Sequence, residues 1–333
     1  MSKRSKELRR RNMELALPTL IDLFITTKQT EGRSPRTLEW YREKLSGFAR
    51  FLGNGIDTKL KDVRLDDARD YVAALQGKDT RYSNHPFQNE VDGGLSPYTI
   101  HGYVRALKAF STWLYEEQFT KINLFTRLKR PKLPQPVIEI LSDQEIADIF
   151  AKLNPTCSLG ARLYLMVLLL LDTGIRASEL VGLTLANTYI EQDYFKVLGK
   201  GDKERIVPFG ATTKKALLRY IHTFRPEPFH QGVDQLVLTT DGSPLTYSGL
   251  AQAIKRLGKK TGVPRLHAHL FRHTFAVRYL MNGGDIMTLR LILGHATLEV
   301  TQMYMHLASA HVQLQHHKFS PVDRLGIKVR GRR

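Results

Sequence analysis

The stretch Lys129-Arg-Pro-Lys-Leu-Pro-Gln-Pro136 divides this chain of 333 residues. It holds three prolines in eight residues. Proline removes a backbone donor and favours extended geometry in the residue before it, so a regular helix or central strand does not run through this stretch. Lys129, Arg130 and Lys132 make it basic. We predict an interdomain linker at 129–137 that also lies along a polyanion.

The part before the linker has the pattern of helices. Segments 34–52 and 96–114 each begin with Ser-Pro, an N-cap followed by proline in the first turn, and they match at 7 of 19 positions. We interpret them as two amphipathic helices with the same start signal rather than as a duplication. Further expectations are an apolar helix face at Leu17, Leu20, Ile21 and Phe24, a helix over 66–75, and an exposed polar loop over 77–95.

The part after the linker mixes helices with a short hairpin. Ser142 and Glu145 predict a capping box, and Leu141 and Ile146 a hydrophobic staple. Segment 162–172 is apolar almost all round, which predicts a buried helix. The remaining expectations are a helix end at Gly174, strands 195–198 and 205–208 around a glycine-rich turn, and helices over 247–262, 269–282, 285–293 and 299–308. The fold class is mainly α with a small antiparallel β-sheet.

The charge distribution favours a nucleic-acid partner. Lys and Arg number 50 against 32 Asp and Glu, a net charge of +18. Residues 1–11 carry six basic side chains against one acid, and residues 324–333 carry five and no acid, so each tail has a net charge of +5. Basic tails are typical arms for a polyanion, whereas the alternative is charge that serves solubility. Arg330, Arg332 and Arg333 are candidate DNA contacts in the second tail.

Composition excludes several classes of protein. The longest apolar run, 166–171, is too short to span a bilayer, and the first residues lack the apolar core of a signal peptide. A single cysteine, Cys157, rules out an intramolecular disulfide and a cysteine-rich zinc site. We therefore expect a soluble, cytoplasmic, nucleoid-associated protein.

Four short motifs after the linker carry candidate chemistry, and Tyr304 follows the last of them by seven residues. Together they resemble the tyrosine recombinase, or lambda-integrase, family, and more closely its Xer-like and transposon-integrase members. The order of Arg, Lys, His-x-x-Arg, Gly-His and Tyr is matched in full. The motifs are Thr173-Gly-Ile-Arg-Ala-Ser-Glu-Leu180, Gly199-Lys-Gly-Asp-Lys-Glu-Arg205, His269-Leu-Phe-Arg-His273 and Leu293-Gly-His-Ala-Thr297.

Phosphodiester exchange explains the arginines. Its transition state gathers negative charge on the non-bridging phosphate oxygens, and it needs fixed cations, a nucleophile and an acid for the leaving oxygen. Arg176 and Arg272 can clamp phosphate oxygens bidentately. Arg176 follows Gly174 and should lie near a helix N-terminus, where an anion is favoured. The resemblance gives Glu179 a supporting role, which is to orient Arg176.

The resemblance also assigns the proton-transfer groups. Lys200, on the turn of the hairpin, is the general acid for the leaving 5′-oxygen, with Lys203 as its rival. His269 is a proton acceptor for the attacking phenol or a phosphate ligand, and His295 donates to a non-bridging oxygen. His267 and His273 are set aside as neighbours without a role.

Tyr304 is the expected nucleophile, and the alternative is a core aromatic residue. Its attack gives a 3′-phosphotyrosyl link and a free 5′-hydroxyl, so the phosphoester is exchanged rather than hydrolysed. No cofactor, ATP or metal is then required, in keeping with the absence of a phosphate-loop motif from the sequence.

The resemblance further implies a C-shaped DNA clamp built from two domains. A helical core-binding (SAM-like) domain would span 13–128 and the catalytic domain 138–320, with basic tails at 1–12 and 321–333. The expected substrate is double-stranded DNA with an inverted-repeat site. Four protomers would synapse two sites, exchange a segment at 311–319 and pass through a Holliday junction.

Alternative functions stay open at this point. Within the family, integration or excision of a mobile element competes with chromosome-dimer resolution of the Xer type and with inversion, and the basic tail favours the mobile element. Outside it, a type IB topoisomerase would relax DNA without synapsis, and a non-catalytic basic protein would bind it. A histidine-metal hydrolase is remote, because His267-x-His269 lacks a nearby carboxylate.

Overall fold

A computed structural model describes most of the chain. The described residues are 13–53, 58–81, 91–134, 138–199, 204–295, 297–304 and 320. The chain divides into two compact units, Met1–Pro136 and Val137–Arg333. This division falls at the proline-rich stretch. Within the described residues, no helix is both long and apolar enough to cross a membrane.

The first unit is built from four α-helices in its described part. They are α1 (Leu17–Thr30), α2 (Pro35–Phe51), α3 (Leu65–Gln76) and α4 (Pro97–Glu116). A 3₁₀ turn at Leu60–Asp62 precedes α3. The loop expected over 77–95 holds a short antiparallel ladder, β1 (Thr80–Arg81) with β2 (Val91–Asp92). Two-residue strands leave too little alternation for a sequence pattern to reveal them.

The Ser-Pro starts of α2 and α4 behave as predicted. The Ser34 hydroxyl accepts a hydrogen bond from the Thr37 amide at 3.4 Å, and the Ser96 hydroxyl accepts one from the Thr99 amide at 3.2 Å. The apolar stripes that follow pack into one aromatic core, in which the Phe24 ring meets the Phe110 ring edge-on at 5.5 Å. Each cap therefore fixes the residue at which its helix begins.

The described part of the second unit has eight α-helices and a small sheet. The antiparallel sheet has the order β3 (Thr188–Tyr189), β4 (Tyr194–Leu198) and β5 (Glu204–Pro208). The hairpin of β4 and β5 was predicted, and β3 was not. The helices are α5 (Asp143–Ala151), α6 (Ser158–Thr173), α7 (Ala177–Val181), α8 (Ala211–Arg219), α9 (Tyr247–Lys260), α10 (Ala268–Met281) and α11 (Ile286–Leu293), with the short α12 (Glu299–Gln302) after them.

Two glycines with left-handed backbone conformation end helices α6 and α11. Gly174 ends α6 with φ +60°, and a Cβ there would lie 2.4 Å from the Phe275 ring. Gly294 ends α11 with φ +63°, and a Cβ there would lie 2.8 Å from Arg205 Cδ. Both positions need a left-handed backbone and close approach, so both require glycine. The carbonyls at these helix ends become available to side chains.

Helix α10 is joined to the start of the second unit by a buried hydroxyl. Thr274 Oγ1 accepts a hydrogen bond from the Leu141 amide at 2.9 Å and donates one to the Leu270 carbonyl at 2.8 Å. Leu141 is followed by the predicted capping box of α5, in which the Ser142 hydroxyl accepts from the Glu145 amide at 3.2 Å. The α10 backbone is thus fixed two residues from Arg272.

We expect Thr274→Val to lower the free energy of unfolding of the second unit by about 1–2 kcal/mol, because the Leu141 amide loses its partner in the interior. Thr274→Ser is the matched control and should stay close to wild type. Urea unfolding followed by far-UV circular dichroism measures the effect. Both tryptophans, Trp40 and Trp113, lie in the first unit, so fluorescence follows that unit separately. A shift confined to the fluorescence transition would contradict the prediction.

Candidate active site

Arg176 occupies the N-cap position of α7. Its backbone amide donates to Glu179 Oε2 at 2.9 Å, and its Nη1 donates to Glu179 Oε1 at 2.8 Å. Its Nη2 donates to the Gly294 carbonyl at 3.0 Å. The side chain is 30% exposed, so part of the guanidinium faces solvent. The predicted position at a helix start and the predicted pairing with Glu179 are both confirmed.

Glu179 binds a second arginine that sequence analysis did not single out. Arg205 Nη1 and Nη2 donate to its two carboxylate oxygens at 2.6 and 2.8 Å, and Arg205 Nε donates to the Ile292 carbonyl at 2.8 Å. Burial alone would raise the pKa of Glu179, but hydrogen bonds from Arg205 and from the Arg176 amide outweigh it and lower that pKa. Glu179 therefore stays ionised and holds two guanidinium groups in place.

The position of Arg205 in the strand was a usable signal. Val207 lies on the buried face of β5, and Arg205 is two residues earlier. Successive side chains of a strand point to opposite faces, so Arg205 shares the inward face with Val207. An arginine on an inward face needs a carboxylate or carbonyl partner.

Arg272 is almost fully buried at 3% exposure. Its Nη1 donates to the Gly174 carbonyl, and its Nη2 donates to the Leu293 carbonyl, both at 2.7 Å. Nη2 also lies 3.0 Å from His295 Nε2. Burial and then the Arg176 charge lower the pKa of Arg272 to about 10. The side chain therefore remains a cation at neutral pH, held by the two helix ends.

The contacts of His295 define its tautomer. Arginine can only donate, so His295 Nε2 accepts from Arg272, and Nδ1 carries the ring proton. Nδ1 lies 2.9 Å from Thr301 Oγ1, which accepts that proton's hydrogen bond. In this arrangement Nε2 has no proton to give, so the donation expected from His295 to a phosphate oxygen requires a second ring proton. Thr301, a fully buried residue, was not singled out from the sequence.

Tyr304 is buried against two imidazole rings. Its exposure is 2%, and its hydroxyl oxygen lies 2.9 Å from His273 Nδ1. The His295 ring stacks on the Tyr304 ring with 6.4 Å between centroids. Burial raises the pKa of Tyr304, whereas the Arg272 and Arg176 charges lower it by less. The phenol therefore holds its proton at neutral pH.

His273, rather than His269, is the histidine that hydrogen-bonds to Tyr304. Sequence analysis set His273 aside; the i and i+4 positions of α10 turn His269 and His273 to the same side, and the turn after α12 brings Tyr304 to the second of them. His269 is an exposed residue, but its ring packs edge-on against the His273 ring with 5.6 Å between centroids, which shields one side of it from water. Within the described residues no hydrogen bond joins His269 to Tyr304.

The structure thus brings together Arg176, Glu179, Arg272, His295 and Tyr304. His269 lies on α10 beside them. Lys200 and its rival Lys203 lie outside the described residues, as does the segment 311–319. Among the described residues, no group of three or more His, Cys, Asp or Glu side chains could hold a metal ion.

Comparisons with known proteins identify the family of this chain. Residues 139–311 match the model of the phage integrase family. Tyrosine recombinase XerC of Bacillus pumilus (strain SAFR-032) is 32% identical over 308 residues, which cover 90% of this chain and 96% of that protein. Tyrosine recombinase XerD of Staphylococcus aureus (strain N315) is 27% identical over 92% of this chain and 99% of that protein.

Solved structures share the fold at lower identity. The Tn1549 transposon integrase in complex with transposon right end DNA superposes with a TM-score of 0.69 at 21% identity, over 87% of this chain and 94% of that chain. A lambda integrase dimer bound to a core site gives a TM-score of 0.66 at 16% identity, over 91% of this chain and 81% of that chain.

Three imidazoles of the site, those of His269, His273 and His295, predict a pH dependence of stability. Burial lowers the pKa of His269, and it lowers those of His273 and His295 to about 4. The histidine pKa values are lowered from 6.5 in the folded chain but not in the unfolded chain. As the pH falls, the unfolded chain therefore takes up these protons first. Their contribution to stability is complete above about pH 6.5 and is lost as the pH falls towards 4.

We expect His295→Asn to remove about one proton from the slope of unfolding free energy against pH in this window. Urea unfolding at a series of pH values, followed by circular dichroism, measures the slope. His230→Asn is the matched control, since His230 is exposed and contacts only its chain neighbours, the Phe229 ring and the Gln231 carbonyl, among the described residues. Equal slopes for wild type and His295→Asn would mean that His295 titrates alike in both states.

Proposed function

The chain belongs to the phage integrase family and is a tyrosine recombinase, an enzyme that recombines DNA at specific sites; we propose that Tyr304 is its nucleophile. The observation that carries this proposal is the buried Tyr304 side chain, whose hydroxyl contacts His273, whose ring stacks on His295 and which feels the charges of Arg272 and Arg176. Attack by the phenolic oxygen on the phosphorus forms the 3′-phosphotyrosyl bond and breaks the bond to the 5′-oxygen. The ester is conserved for rejoining.

The charge of the site supports phosphoryl transfer. Arg176, Arg205 and Arg272 contribute three positive charges, Glu179 contributes one negative charge, and the histidines are neutral at pH 7. The resulting net charge of +2 exceeds the single negative charge of a phosphodiester. It therefore favours the transition state, in which the non-bridging oxygens gain negative charge.

Arg272 has to release one of its present hydrogen-bond partners before it can bind a phosphate. Both Nη2 protons of Arg272 are already used, one by the Leu293 carbonyl and one by His295 Nε2. We propose that a phosphate oxygen displaces His295 from Nη2. The negative charge of the phosphate then favours uptake of a solvent proton by the freed His295 Nε2, which donates to the same phosphate. Arg176, which is partly exposed, would meet the phosphate first.

The other proton-transfer roles remain proposals. Leu198 pairs with Glu204 at the open end of the hairpin, so the turn that carries Lys200 begins beside this pair. We propose Lys200 as the general acid for the 5′-oxygen. His269, exposed on α10 next to His273, is proposed as a phosphate ligand or proton acceptor.

DNA contacts are proposed for the basic residues of the first unit and the tails. Arg127, Lys129 and Arg130 line one groove of this unit, and Lys132 is exposed nearby. The described residues offer no carboxylate within 4.0 Å of Lys129, Arg130 or Lys132, which leaves their charge for phosphates. Arg330, Arg332 and Arg333 are proposed to extend the contact, although they lie outside the described residues.

The biological reaction is proposed from the relatives. Integration or excision of a mobile element fits the fold shared with the Tn1549 integrase. Chromosome-dimer resolution is a second candidate, because the XerC similarity covers 90% of the chain at a higher identity. In either case we propose a homotetramer that synapses two inverted-repeat sites and exchanges strands through a Holliday junction. We also propose that the protein is cytoplasmic and associated with the nucleoid. The core-binding and catalytic domains are proposed at 13–128 and 138–320.

Covalent mapping separates the two candidates. The purified protein is incubated with sheared genomic DNA of its host, and fragments that stay attached in detergent are sequenced. Attachment at the ends of an integrated element supports the first candidate. Attachment at one chromosomal site outside any element supports the second.

We expect Tyr304→Phe to abolish the covalent protein–DNA adduct on a suicide duplex built from the mapped site, while binding changes little because phosphate contacts dominate affinity. Gel analysis of the adduct and a mobility-shift titration measure the two properties. Tyr279→Phe, in the same unit, is the matched control and should form the adduct normally. An adduct formed by Tyr304→Phe would refute the nucleophile assignment.

We expect Arg176→Lys and Arg272→Lys each to slow single-turnover cleavage by about 100-fold or more, because lysine keeps the charge but loses the planar fork. Arg265→Lys is the matched control, since Arg265 pairs with Glu139 and Glu145 away from the site. Chelation with EDTA should leave the wild-type rate unchanged. Wild-type rates in both lysine variants would exclude these arginines from the chemistry.

A further inference from the structure

The hydroxyl of Tyr304 has one visible partner. Its oxygen lies 2.9 Å from His273 Nδ1, and the two rings are tilted by 51° with centroids 5.7 Å apart. Among the described residues, no other side chain hydrogen-bonds to this oxygen. Since a buried hydroxyl proton needs an acceptor, its only candidate here is His273 Nδ1.

The direction of this hydrogen bond follows from the state of the ring. Burial and then the His269 charge lower the pKa of His273 to about 4, so the imidazole is neutral at pH 7. A neutral imidazole has one acceptor nitrogen and one donor nitrogen. If Nδ1 accepts from the phenol, the ring proton lies on Nε2, and His273 is the opposite tautomer to His295.

We propose that His273 is a further catalytic residue, which orients the Tyr304 hydroxyl so that its proton points away from the incoming phosphate and an oxygen lone pair points towards it. This inference rests on the proposed role of Tyr304 as nucleophile. Without an acceptor at this position, the strongest acceptor available to the phenol would be the non-bridging oxygen of the phosphate itself. The hydroxyl proton would then lie between the nucleophile and its target.

A second contact on the same segment supports an orienting role. Thr301 precedes Tyr304 by three residues, and its hydroxyl is bound by His295 Nδ1 at 2.9 Å. Two imidazoles, from α10 and from the turn after α11, thus bind two hydroxyls of one short segment. Orientation of a reacting group within such a site lowers the entropic part of the barrier.

Orientation explains the contact better than proton storage. Burial lowers the pKa of His273 to about 4 and raises the pKa of Tyr304 above its ordinary value, so His273 is a weak base for the phenol proton. A general base is most effective when its pKa lies near the working pH. In the reaction as proposed, the phenol keeps its proton until the O–P bond forms and then loses it to solvent water, while His273 fixes the direction in which the proton points.

The test compares His273→Leu with His273→Asn. Leucine removes the acceptor, whereas the asparagine carbonyl oxygen occupies nearly the place of Nδ1 and accepts without taking up a proton. The substrate is a suicide duplex with a 5′-bridging sulfur at the scissile phosphate, because a thiolate leaves without an acid and the rate then reports attack by Tyr304. His230→Leu is the matched control, and thermal unfolding followed by circular dichroism monitors folding.

We expect His273→Leu to slow single-turnover cleavage by about 10- to 100-fold at unchanged DNA affinity, the scale of a misplaced reacting group. We expect His273→Asn to recover most of that loss, with the wild-type pH profile. An Asn variant as slow as the Leu variant would overturn orientation in favour of proton acceptance. A Leu variant as fast as wild type, or faster, would show that the contact is no part of catalysis.

Failure of this inference differs from failure of the proposed function. If Tyr304→Phe still forms the adduct on the same sulfur-containing duplex, the nucleophile itself is misassigned. If Tyr304→Phe is inactive and His273→Leu is normal, the nucleophile stands and the orienting role of His273 falls.

Discussion

The guanidinium group of Arg272 lies inside the protein and joins the ends of two helices. It donates to the Gly174 carbonyl at the end of α6 and to the Leu293 carbonyl at the end of α11. Both carbonyls belong to helix termini that have no partner within their helices. A buried cation is costly unless its protons are bonded, and unpaired helix-end carbonyls are costly as well. The guanidinium protons and the helix-end carbonyls therefore satisfy each other. The rest of the site is arranged around these two hydrogen bonds.

The glycines at 174 and 294 follow from the same constraint. Their left-handed turns reverse the chain directly after each helix and expose the last carbonyls to side chains from other elements. Arg176 then begins α7 two residues after Gly174, and its Nη2 reaches the Gly294 carbonyl. Arg205 approaches from β5, where a Cβ on Gly294 would meet it. Two close turns thereby bring three guanidinium groups together.

Glu179 keeps these cations at fixed distances without neutralising them. One carboxylate binds Arg176 and Arg205, whereas the described partners of Arg272 are neutral: two backbone carbonyls and His295 Nε2. Hydrogen bonds to carbonyl groups hold a guanidinium in place but leave its charge uncompensated. The site is consequently preorganised for an anion, and its cations need little rearrangement when the anion arrives.

The sequence by itself indicated the helices with strong local signals and part of the polar set that the structure brings together, namely Arg176, Glu179, Arg272, His295 and Tyr304. Ser34, Ser96 and Ser142 cap helices through bonds within three residues, so neighbouring residues were enough to predict them. The positions of Arg176 and Glu179 followed equally from one turn of helix. Only the tertiary structure decided which groups touch. The contacts of Arg205 with Glu179, of Thr301 with His295 and of His273 with Tyr304 join different elements. Such contacts depend on how close helix ends and strands lie to one another in the folded protein. The spacing of residues along the sequence does not determine that distance.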